Sequence, residues 1–98
     1  MRREDAIRLL KQAEPELRAR GVTSLALFGS TARGDNHAES DVDLLIELEE
    51  DRRITLFDLS EIKFFATDVL GKPADIAIRK SIRPGYRAGI EEDAIQVF

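Results

Sequence analysis

Asp41 and Asp43 flank Val42 at the head of the apolar run Leu44-Leu45-Ile46. Residues two apart on a strand point to one face, so the two carboxylates aim together while Val42 turns towards a core. Asp75 opens a second apolar stretch, Ala74-Asp75-Ile76-Ala77-Ile78, in the same manner. Carboxylates at the mouth of buried strands are costly unless something compensates them. If the two strands are neighbours, three carboxylates converge at one end of a sheet, and a hard divalent cation would relieve their repulsion. Mg²⁺ suits a few carboxylates plus substrate phosphates, because it keeps part of its water shell.

Upstream of Asp41, with ten residues between, stands Gly29-Ser30, directly after the apolar segment Leu25-Ala26-Leu27-Phe28. Glycine lets backbone N–H groups approach an anion closely, and a turn of such groups forms an anion nest. Ser30 adds a hydroxyl donor. Such a loop facing acids fits a metal–nucleotide complex, with phosphates on the loop and the metal bridging phosphates and acids. Each piece alone is common: Gly-Ser ends many strands, and Asp-x-Asp occurs on many surface edges. Their order and spacing together are what carry information.

The elements that must position these residues follow from periodicity. Residues 4 to 13 predict a helix with Ile7, Leu10 and Ala13 on one stripe. A second short helix is expected from Pro15 to Arg20, stopped by Gly21. Residues 23 to 28 predict a strand, and a helical turn is expected near Thr31 to Arg33. Residues 42 to 48 predict the second strand, and 49 to 53 a charged turn. Residues 55 to 70 predict the main helix, with Leu56, Leu59, Ile62, Ala66, Val69 and Leu70 inward. Gly71 ends it and Pro73 prevents its return. Residues 74 to 78 predict the third strand. A last helix is expected from Pro84, with Ile90, Ala94 and Ile95 facing inward. This order predicts a small α/β (α+β) domain, residues 1 to 98, with a short mixed sheet of about three strands covered by helices.

Composition narrows the function. Ninety-eight residues fit one domain with a modest core, leaving little material for a deep pocket or a substrate domain. The net charge of −4 disfavours a nucleic-acid partner, and Arg2-Arg3, Arg52-Arg53 and Arg79-Lys80 read as solvated surface charge. With no cysteine there is no disulfide or thiolate chemistry, and one histidine, His37, makes no multi-histidine metal site. No apolar run reaches transmembrane length, so the expected location is cytoplasmic.

Gly29-Ser30, ten residues, then Asp41-Val42-Asp43 resembles the signature of the polymerase-β-type nucleotidyltransferase superfamily. The fuller stretch from Phe28 to Leu48 resembles its minimal nucleotidyltransferase branch, whose members are similar to antitoxins paired with HEPN-domain toxins. The resemblance implies Mg²⁺-dependent transfer of AMP from ATP to a hydroxyl, a tyrosine of a HEPN toxin. It implies that Asp41 and Asp43 bind metal, one or both of two ions. Asp75 would bind the second metal and help deprotonate the attacking hydroxyl. Gly29 and Ser30 would hold the β- and γ-phosphates. Attack is then in line on the α-phosphorus, with pyrophosphate leaving.

Other residues bear on the site less directly. Arg33 could reach a phosphate or be a surface arginine. Ser40 could orient Asp41 or merely precede the strand. His37, Asp35 and Glu39 read as solvated. Phe57 and Phe64 fall opposite the stripe of the main helix. A helix apolar on two sides is either buried throughout or partnered, so these two rings suggest a homo-oligomeric or toxin interface, the alternative being burial beneath the terminal helices. Three other functions compete: a non-catalytic toxin-binding module, transfer to RNA or a small molecule, and an aspartate-nucleophile phosphatase. The last is disfavoured because Leu44-Leu45, rather than Gly-Thr, follows the acids.

Overall fold

The structure, a computed structural model, describes residues 1–37 and 40–98. Glu39, expected as surface charge, lies outside the described residues. Two helices, α1 (Arg3–Gln12) and α2 (Glu14–Ala19), lead into strand β1 (Val22–Phe28). A five-residue helix, α3 (Gly29–Arg33), precedes β2 (Val42–Leu48). Then come α4 (Leu56–Leu70), β3 (Ala74–Ile78), a 3-10 turn at Arg79–Ser81, α5 (Pro84–Asp93) and β4 (Ile95–Gln96).

The strands form one mixed sheet in the order β3-β2-β1-β4. β1 runs antiparallel to β2 and β4, while β2 and β3 are parallel. The parallel pair is joined through α4, the usual way to return a chain to the same end of a sheet. Val42, Leu44 and Ile46 of β2 are buried with Leu25 and Leu27 of β1 against Ala6, Leu10 and Leu17 from α1 and α2, and against Ile62, Ala66 and Leu70 of α4. Burying each large aliphatic side chain contributes roughly 1.5–3 kcal/mol, so this single face supplies most of the driving force for folding. The opposite face carries Asp43 and Glu47 in alternation with buried Leu45.

α4 is well delimited. Thr55 Oγ1 accepts the Asp58 N–H and the Asp58 carboxylate accepts the Thr55 N–H, a reciprocal cap. These hydrogen bonds, the backbone one foremost, hold the Asp58 carboxyl below the usual carboxylate range. Gly71, left-handed at φ 68°, closes the helix by donating to Thr67 O at 2.8 Å.

The structure departs from the sequence reading at several points. A fourth strand, β4, takes Ile95 out of the expected last helix, which ends at Asp93, and Ala94 lies between the two. α5 itself buries no residue. The short α3 starts at Gly29, earlier than expected. Leu56, expected on the inward stripe of α4, is the first residue of the helix and is 80% exposed. Phe57 and Phe64 are 88% and 66% exposed, which rules out their burial beneath the terminal helices. Not all the basic pieces are free surface charge: Arg3 donates to Ala32 O at 2.8 Å, tying α1 to α3, and Arg79 pairs with Glu47 and Glu91.

Candidate active site

The C-terminal end of β1 and the N-terminal ends of β2 and β3 meet at one end of the sheet. Phe28 pairs with Asp43 across the antiparallel ladder, and Asp43 pairs with Asp75 across the parallel one. Gly29-Ser30, Asp43 and Asp75 thus lie in a row across three adjacent strands. Asp41 sits just ahead of β2 and is exposed. The row is pinned by backbone: Val42 N–H donates to Pro73 O at 2.9 Å, and Ala74 N–H donates to Thr67 Oγ1 at 3.2 Å. Pro73 and Thr67 therefore fix the start of β3, and with it Asp75, beside the start of β2.

Gly29 is required for two reasons. Its φ of 75° lies in the left-handed region, and a Cβ there would overlap Asp43 Oδ2 and stand 3.1 Å from Asp43 Cγ. The missing side chain is the space that the Asp43 carboxylate occupies. Ser30 follows in the first turn of α3, whose buried Thr31 and Ala32 anchor the loop, and Gly34, at φ 81°, ends the helix.

Asp43 is half-buried, and its carboxylate makes no hydrogen bond or ion pair among the described residues. Burial chiefly, and then the charges of Asp75 and Asp41, push its carboxyl above the ordinary carboxylate range, with Arg33 pulling the other way. This is the uncompensated negative centre that the sequence implied. Among the described residues, however, no three acidic side chains close around a common point tightly enough to enclose an ion. Asp75 instead turns towards Lys63 of α4, with Nζ 3.7 Å from Oδ1. The convergence is thus a property of the strand ends, and the carboxylates are left open. The Asp43 carboxylate, without an ion-pair partner among the described residues and in strand register with Asp75, offers the oxygen chemistry that suits a hard cation completing its shell with water and phosphate oxygens.

Arg33 is held by Asp93 at 2.9 Å and Asp35 at 3.1 Å, and these partners raise its pKa. The pair with Asp93 bridges α3 to α5. Beside it, Phe28, Gly29, Tyr86, Gly89 and Ile90 line a cleft of about 440 Å³. Ser40 does not orient Asp41: its Oγ accepts the His37 N–H at 3.0 Å, and His37 is exposed. Sequence reasoning missed Lys63 and Thr67, whose side chains tie α4 to the start of β3 by an ion pair and a hydrogen bond. Helical spacing places both on the flank of α4, but only the packing shows that this flank meets β3.

Comparison with known proteins shows which family the domain is similar to. The family model described as nucleotidyltransferase domain matches residues 10–97. A Methanocaldococcus jannaschii protein provisionally named protein adenylyltransferase MJ1379 is 39% identical over 77 residues, 78% of this chain and 77% of the relative. A solved structure provisionally identified as a minimal nucleotidyltransferase superposes with a TM-score of 0.77 at 34% identity, over 97% of this chain and 95% of that one. The fold is shared as well with a chain in the complex of tri-AMPylated Shewanella oneidensis HEPN toxin with MNT antitoxin. There the TM-score is 0.66 at 15% identity, over 94% of this chain and 71% of that one.

Proposed function

Because the chain belongs to the nucleotidyltransferase domain family, we propose that it transfers AMP from ATP to a tyrosine hydroxyl of a partner protein, a HEPN-domain toxin, and so acts as its antitoxin. The observation that carries the reading is the half-buried, unpaired Asp43 carboxylate, seated against Gly29 and in register with Asp75. The catalytic unit is residues 1–98 as a single domain, working in the cytoplasm. Among the described residues no helix is long and apolar enough to cross a membrane.

In this reading Asp41 and Asp43 would hold Mg²⁺ beside the triphosphate, on one or both of two ions, and Asp75 would hold the second ion. When bound, the metal supplies charge neutralisation at the attacking and leaving oxygens of an in-line displacement. Gly29 and Ser30 receive the β- and γ-phosphates through backbone N–H groups and the serine hydroxyl. Asp75, at the far side of the row, accepts the proton of the attacking hydroxyl as the oxygen–phosphorus bond forms and pyrophosphate leaves. Arg33 contributes positive potential beside the phosphates while tethered to Asp93. The alternative, a purely binding antitoxin, has no use for an unpaired acid seated against a left-handed glycine.

The acids repel bare triphosphate, so ATP binding is expected to require Mg²⁺. Calorimetry should give at least a tenfold weaker affinity in EDTA. Equal affinity with and without the metal would remove the metal role of Asp41, Asp43 and Asp75.

A further inference from the structure

A groove of about 570 Å³ runs between the N-terminal half of α4 and β3. Leu56, Leu59, Ile76 and Ile78 form its apolar wall, while Lys63 and Asp75 close one end. β3 is an edge strand, with β2 its only strand neighbour among the described residues. Beside the groove α4 exposes Leu56, Phe57 and Phe64. Leu56, Ser60 and Lys63 share one flank of the helix, and Phe57 and Phe64 lie two turns apart on the adjoining flank. Three large apolar side chains exposed on one helix, beside an apolar groove, mark an interaction site.

We infer that this groove and the adjoining flank of α4 dock the acceptor protein and deliver its aromatic hydroxyl to Asp75. The inference rests on the proposed transfer reaction and deepens it. Its main argument is direction. In-line displacement puts the attacking and leaving oxygens on opposite sides of the phosphorus. Pyrophosphate departs towards Gly29-Ser30 at the end of β1, and Asp43 on β2 lies between. The attacking oxygen must therefore arrive from the β3 side, where the groove opens. Its apolar wall ending in a carboxylate fits a phenol, whose ring is apolar and whose tip is polar. A short aliphatic hydroxyl would leave the wall uncovered. Phe57 and Phe64 then meet the acceptor's surface around that side chain and supply affinity that a chain with little room for a deep pocket lacks.

The test uses the full chain, Mg²⁺, ATP and the protein that the wild type modifies. Leu56→Gln and Phe64→Ser alter exposed positions, and circular dichroism checks that both variants fold. Each is expected to raise KM for the acceptor at least tenfold, while ATP affinity by calorimetry stays within twofold of wild type. A fall in ATP affinity would assign the groove to the nucleoside and overturn the inference. Unchanged KM in both variants would overturn it too, and unchanged KM with loss of self-association would mean that a second copy covers this face. If the wild type modifies no protein, the transfer reading itself fails and takes the docking inference with it. That failure appears in the wild type, whereas failure of the docking inference alone appears only in the variants.

Discussion

Asp43→Asn is expected to lower AMP transfer by on the order of 10³-fold, the scale on which loss of one preorganised electrostatic group slows an enzyme. The variant should nevertheless fold. The carboxylate has no hydrogen-bond or ion-pair partner to lose among the described residues, and asparagine matches its shape. In EDTA its melting temperature should equal or slightly exceed that of wild type, because one repelling charge near Asp75 and Asp41 is gone. The pH dependence follows the sign of the shift. Burial, Asp75 and Asp41 raise the folded pKa of Asp43 above its unfolded value. The stability it contributes is therefore present below the unfolded pKa and lost as pH rises through the raised folded one. Metal-free wild type should lose stability over that window and the variant should lose less. Melting several degrees lower than wild type in EDTA would make Asp43 a structural residue and contradict the site.

Gly29→Ala should be the most damaging single change to the loop. A left-handed backbone costs an alanine about 1–2 kcal/mol, and overlap with a packed neighbour typically adds about 1–3 kcal/mol. At roughly 4–8 °C per kcal/mol for a domain of this size, melting should fall by about 10 °C or more. Transfer should fall with it, because the new methyl occupies the place of the Asp43 carboxylate. Combining Gly29→Ala with Asp43→Ala separates the two costs: the overlap disappears and the backbone cost stays. If the glycine substitution is equally costly in the two backgrounds, as thermal melts would show, the contact with Asp43 is not what requires glycine.

The sequence made the site legible because its chemistry is local. Gly29-Ser30 and Asp41-Val42-Asp43 each lie within three residues, and strand periodicity fixes which way each acid points. β2 and β3 were readable to the residue because apolar runs bounded by polar turns leave one solution. What escaped depends on packing between distant segments. β4 is two residues long and forms by pairing Ile95 and Gln96 with Leu27 and Ala26 of β1, with Leu25 bonded to Val97 and Phe98 just beyond it. The tether of Arg33 to Asp93 spans sixty residues, so an arginine readable as a phosphate ligand or as free surface charge became a brace. Leu56 has the right spacing for the core, yet as the first residue of α4 it is left in solvent. The aromatic pair Phe57 and Phe64 lay at the limit of sequence reading. Periodicity placed them off the core stripe, and the fold shows that nothing in the described chain covers them.

The central claim is that this chain moves AMP onto a protein hydroxyl. It is tested most directly by incubating the chain, Mg²⁺ and ATP labelled on the α-phosphate with the product of the neighbouring reading frame, then weighing that protein by mass spectrometry. The account predicts one or more AMP units on a tyrosine, absent when Asp43→Asn replaces the wild type. A tight complex with no added mass, under ATP or any other nucleoside triphosphate, would contradict it and leave a binding module in its place.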